Sequence, residues 1–183
     1  MATRARIALE LKDGSFISSY QHWDGYPGGL GYTLIEHWTD YDKVKEAIEL
    51  GDASKWAYTV GSKIDFDDRN AKDYDIQNVY YGRDRGEKDV GHHKHMNGVV
   101  LLDEAFNSGE EYLLLDEAFN SGEEYLYILK DVSKKVDEEK FEWFYVDERE
   151  PETIKPLFET AVQDHVDMLK RVLEMKKKGE FFG

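Results

Sequence analysis

A histidine two residues from a carboxylate, with aromatic rings on both sides, is the arrangement in this chain best suited to chemistry: Tyr20-Gln21-His22-Trp23-Asp24-Gly25-Tyr26. An imidazole titrates near neutrality and a carboxylate can orient it, so His22 and Asp24 are candidate catalytic groups. Tyr20, Trp23 and Tyr26 are candidate ligand contacts beside them. Alternation along a strand places Tyr20 and His22 on one face and Trp23 on the other, with Asp24 already in a turn. Asp-Gly followed by Tyr-Pro also has a purely structural use in that turn.

A second cluster, Arg83-Asp84-Arg85, sits between Gly82 and Gly86. Two guanidinium groups can clamp a phosphate or carboxylate in bidentate fashion, which makes Arg83 and Arg85 candidate ligand contacts and Asp84 a third candidate catalytic group. The competing reading is an internal ion-pair network. If the two clusters converge, they form a small anion-facing site.

Other clusters carry less. His92, His93 and His95 invite a metal, but a site needs three or four ligands held by a second shell, so the expectation is a flexible histidine-rich loop and no metal. Asp65, Asp67, Asp68, Asp73 and Asp75 lack the glycine and closing glutamate of a calcium loop, and read as solvated surface. Neither a phosphate-cradling Gly-x-x-x-x-Gly-Lys nor a Gly-x-Ser-x-Gly occurs, and no cofactor is expected.

The elements that must position these residues follow from periodicity and turn chemistry. Arg4 to Leu11 and Phe16 to His22 read as a hairpin closed by Lys12-Asp13-Gly14-Ser15. Leu30, Leu34, Ile35 and Trp38 have helical spacing, and Asp40 caps a second short helix that ends at Gly51. Trp56, Tyr58 and Val60 are candidates for a short strand, and Asn78 to Tyr81 for a better one. Glu124 to Leu129 and Phe141 to Val146 form a second hairpin across Lys134 to Lys140. From near Pro151 a long helix carries Ile154, Phe158, Ala161, Val162, His165, Leu169, Val172 and Leu173 as an apolar stripe to lie across a sheet. The predicted architecture is α+β over one domain, residues 1–183: an antiparallel sheet of hairpins, two short helices and a long C-terminal amphipathic helix.

Leu-Leu-Asp-Glu-Ala-Phe-Asn-Ser-Gly-Glu-Glu-Tyr-Leu occurs at 101–113 and again, unchanged, at 114–126. An old packing repeat would have drifted, so this is a recent or engineered insertion. It is expected to loop out at the surface between a strand that begins at Val99-Val100 and one that continues through Tyr127-Ile128-Leu129.

Composition limits the partners. With 39 acidic against 24 basic residues the net charge is −15, which argues against direct nucleic-acid binding. Without cysteine there are no disulfides or thiolate sites. The sequence contains no apolar run long enough for a membrane span and no secretory signal pattern, so a soluble cytoplasmic protein is expected.

Taken in order, Thr3-Arg4-Ala5, Asp13-Gly14, His22-Trp23-Asp24-Gly25-Tyr26, Glu36-His37, Ile48 to Asp52 and Tyr81-Gly82-Arg83-Asp84-Arg85-Gly86-Glu87 resemble a family of small uncharacterised proteins of tailed bacteriophages and some bacteria. The resemblance covers the first half and departs at Gly28-Gly29, in the duplication and in the C-terminal half. It implies a viral accessory protein in the host cytoplasm, with no reaction attached. The leading expectation is a non-catalytic protein that binds and modulates a host protein. The alternative is a small enzyme or phosphate-ligand binder using residues 22–26 and 83–87, and a third reading is a homodimer joined by the C-terminal helix.

Overall fold

The computed structural model describes residues 2–113, 122–135 and 137–179. Its centre is a hairpin of β1 (Ala5–Glu10) and β2 (Phe16–Gln21), in register from Ala5 opposite Gln21 to Glu10 opposite Phe16. The expected turn closes it: Gly14 adopts φ 85°, and Leu11 N–H donates to Ser15 O at 2.8 Å. The other strands are β3 (Ala53–Lys55), β4 (Val79–Tyr80), β5 (His93–His95), β6 (Tyr125–Asp131), β7 (Phe141–Asp147) and β8 (Lys155–Pro156). They join one sheet in the order β4-β3-β2-β1-β6-β7-β8, with β5 pairing on β2.

The fold is α+β, but the sheet is mixed where a purely antiparallel one was predicted. β1 runs parallel to β6 and β2 parallel to β3, while the β1–β2 and β6–β7 hairpins are antiparallel as expected. Two hairpins placed side by side must meet along some pair of strands, and here the meeting pair runs the same way.

Helices cover both faces. On one, α1 (Tyr32–His37), α2 (Tyr41–Glu49) and α5 (Phe158–Lys177) enclose a core that includes Ile7, Leu9, Leu34, Trp38, Ile48, Tyr127 and Leu157. Asp40 caps α2 by accepting from Lys43 N–H at 2.9 Å, and Gly51 (φ 94°) follows its end. On the other, α4 (Gly98–Leu113) lays Leu101 and Ala105 against Ala8, Phe16, Leu126, Ile128 and Val146.

Four further expectations are corrected. Tyr81, expected to end the strand from Asn78, instead opens a short helix, α3 (Tyr81–Arg85), which Gly86 ends at φ 77°. His93 and His95 stand in β5, opposite Ser18 and Phe16, where a flexible loop was expected. Val99-Val100 opens a helix instead of a strand. α5 begins at Phe158, after β8, and its packed face is narrower than the predicted stripe: Ala161 is its buried residue, whereas Ile154, Phe158, Leu169 and Leu173 are exposed. The second copy's residues 114–121, where the loop-out was expected, and residue 136 of the second hairpin's turn lie outside the described residues.

Candidate functional site

The segment after β2 is held by close approaches. Asp24 takes φ 57°, and Gly25 donates its N–H to Thr3 O at 2.8 Å. A Cβ on Gly25 would stand 2.6 Å from that same carbonyl oxygen, so no side chain fits there. The Tyr127 hydroxyl reaches up from β6 and donates to Gly25 O at 2.5 Å. The chain then coils through a π-helical turn, Pro27–Gly31, a rare conformation that is frequent at functional sites. α5 crosses it closely: His165 stacks on Tyr32 at 3.8 Å, and its Nδ1 lies 3.2 Å from Gly28 O.

These elements wall an open cleft of about 470 Å³. Trp23, Asp24 and Tyr26 line it, together with residues that the sequence reading assigned to no site: Tyr32 and His37 from α1, Lys55, Trp56 and Tyr58 from β3 and beyond, Asp75, and His165 and Met168 from α5. Trp23 and Tyr58 are each nearly half exposed at the rim. The wall behind them is rigid: Trp38 packs on Trp56 at 4.6 Å and donates Nε1–H to Ala57 O at 2.7 Å, and Lys43 Nζ bridges His37 O (2.6 Å) and Tyr58 O (2.8 Å). Lys55 Nζ is committed to Tyr74 O and lies 4.1 Å from the centre of the Tyr74 ring. Burial lowers its pKa, against the pull of Asp75. The cleft therefore offers aromatic faces and two carboxylates, with its one lysine already satisfied.

The other predicted residues lie elsewhere. The Tyr20 hydroxyl is 2.6 Å from His22 Nδ1, so the imidazole's partner at that nitrogen is a phenol where a carboxylate was anticipated. Burial, with Arg4 adding to it, holds His22 below the ordinary histidine range. Arg83 donates to Val60 O (2.8 Å), to Asn78 O (2.9 Å) and to both oxygens of Asp84 (3.0 and 3.2 Å). Asp84, its side chain wholly enclosed, also accepts from Ile64 N–H and Tyr80 N–H at 3.0 and 2.8 Å. Arg85 lies over Phe66 and pairs with Glu87 at 3.7 Å. None of the three lines the cleft.

A polar network between β1, β2, β5 and α4 carried no signal beyond its histidines. Ser18 Oγ lies 2.7 Å from His95 Nε2, and Glu104 Oε2 lies 3.1 Å from His95 Nδ1, off the line a hydrogen bond needs. Glu104 also contacts His93. The order serine, histidine, carboxylate is that of an activated nucleophile. However, Ser18 is fully buried and accepts from Arg6 Nη1 at 3.1 Å, so no substrate reaches it. Arg6 Nη2 meets Glu123 at 2.6 Å, yet burial outweighs that attraction and raises the Glu123 pKa. The network fastens α4 and the start of β6 to the hairpin. Among the described residues no group of three or more His, Asp or Glu side chains is placed to hold a metal, and no helix is long and apolar enough to cross a membrane.

Comparison with known protein families, curated proteins and solved structures finds no match.

Proposed function

We propose that this chain is a non-catalytic binding protein that acts inside a phage-infected bacterium and engages a host protein by taking a basic side chain into the aromatic cleft. The observation that carries the reading is that Trp23, Tyr26 and Tyr58 share one cleft with Asp24 and Asp75. Aromatic faces attract a cation through their quadrupole, and a carboxylate supplies the counter-charge; together they suit a guanidinium or ammonium group. A net charge of −15 steers a basic surface toward the molecule. Tyr and Trp are also the side chains most enriched at interface hot spots. The phage setting rests on the motif resemblance in the first half of the chain.

The phosphate-ligand alternative loses support, because the Arg83 donors it needs are spent on Val60, Asn78 and Asp84. The reading is tested by recovering host proteins with the wild type, with Trp23→Ala and with the pair Asp24→Asn and Asp75→Asn, then mapping crosslinks. One partner, crosslinked to the cleft through an Arg- or Lys-bearing segment and lost from both variants while their folds persist, is expected. A partner that binds all three forms equally contradicts it.

A further inference from the structure

α5 has two apolar faces, and the domain uses one. Ala161, His165 and Met168 turn toward the π-helical turn and α1, where Gly28 comes so close that a Cβ would stand 2.9 Å from Asp164 Cβ. Phe158, Val162, Val166, Leu169 and Leu173 recur at steps of four, four, three and four residues and span an arc of about 80° at 100° per residue. Four of these five are exposed, Phe158 by 65% and Leu173 by 57%. No described element covers the stripe, which runs most of a helix about 30 Å long.

The charge along the same helix names its occupant. From Phe158 to Met168 the only charged residues are Glu159, Asp164 and Asp167; from Leu169 to Lys178 they are Lys170, Arg171, Lys176, Lys177 and Lys178 against the single Glu174. Asp164, Asp167 and Arg171 lie away from the stripe, at about 180–240° on the same count, whereas Glu159 and Lys170 border it at about 100° and 120°, and reversal brings Glu159 of one copy beside Lys170 of the other. A parallel copy would set like charge on like, and a copy approaching almost anywhere else meets the repulsion of a chain carrying −15. We infer that α5 pairs antiparallel with α5 of a second copy, forming a two-fold dimer in which Phe158 meets Leu173, Val162 meets Leu169, and Val166 lies at the axis. Such an interface is isologous and closes at two subunits. The approach of Glu159 to Lys170 across the seam favours this register, and the apolar stripe supplies its adhesion.

The absence of native cysteine allows a direct test. Sedimentation should show the full chain at twice the monomer mass, and Leu169→Glu should return it to monomer with its circular dichroism unchanged. Under oxidation Val166→Cys should form a covalent dimer. Phe158→Cys alone should not, whereas a mixture of Phe158→Cys and Leu173→Cys should. A wild type that is monomeric at every concentration, a dimer indifferent to Leu169→Glu, or a Phe158→Cys chain that crosslinks to itself would each overturn the proposal.

Discussion

Arg83 and Asp84, adjacent in sequence, act as one pin: the guanidinium ties residues 60 and 78, and the carboxylate ties 64 and 80. Removing one member of a buried, hydrogen-bonded pair strands the other, at a cost of about 3 kcal/mol. Asp84→Ala is therefore expected to lower unfolding free energy by about that amount in urea titration. A change within error would show the pin to be idle. His95 sets a pH dependence. Burial is the main cause of its lowered pKa; Glu104 opposes the shift, while Arg6 and His93 add to it. The unfolded chain then takes up the proton first, so this contribution is full above about pH 6.5 and is lost as the pH falls below that. Asp52 and Glu123, raised by burial, act in the opposite sense where carboxylates titrate. Stability measured from about pH 7.5 down to about pH 5.5 should fall more steeply in the wild type than in His95→Gln, and equal slopes would refute the assignment. At this scale the sequence marked Trp23, Asp24 and Tyr26, which line the cleft, as candidate site residues because glycine, aromatics and a carboxylate crowd one turn. It could not mark His37, Lys55, Tyr58, Asp75 or His165, which come from separate segments that only the tertiary fold brings together.

Gly28 belongs to the scale of elements, because its missing Cβ is what lets α5 cross the π-helical turn. Gly28→Ala would place a carbon 3.0 Å from the Asp164 backbone, and is expected to cost about 1–3 kcal/mol, read as a lowered midpoint in thermal unfolding. The duplication shows context overriding propensity. Tyr112-Leu113 ends a helix, while the identical Tyr125-Leu126 begins a strand paired to β1 and β7. One hydrogen bond suggests how a single-copy chain would close: Glu123 N–H donates to Ala105 O at 3.3 Å. With thirteen residues excised that bond would span five positions, with Gly122 just past the helix end, which is the closure of a glycine-terminated helix. The single-copy chain is accordingly expected to fold with equal or greater stability, by roughly 1 kcal/mol from the shorter connection between α4 and β6. Loss of cooperative unfolding on excision would show the insert to be structural. The hairpins, the α2 cap and the C-terminal helix were legible because turn and cap chemistry is local. The parallel β1–β6 pairing was not, since it joins residues 120 apart, as in Ala5 opposite Tyr125. Nor was the choice of packed face on α5, because apolar residues populate both sides of that helix.

For the molecule as a whole, an excess of 15 negative charges favours long-range attraction of cationic groups, and the proposed function makes the aromatic cleft the place where one docks. The four tryptophans report on it separately. Trp23 and Trp56 line the cleft, whereas Trp38 and Trp143 donate their indole N–H groups to carbonyls in the core. The most direct measurement is a titration of isotope-labelled protein with a short arginine-rich peptide, following the four indole resonances, with Asp24→Asn and Asp75→Asn as the control. Saturable movement of the Trp23 and Trp56 signals, with Trp38 and Trp143 unmoved and the response abolished in the control, is the result expected. Shifts spread over the acidic surface that leave Trp23 in place, or a response the control retains, would contradict the claim that this cleft receives a basic side chain.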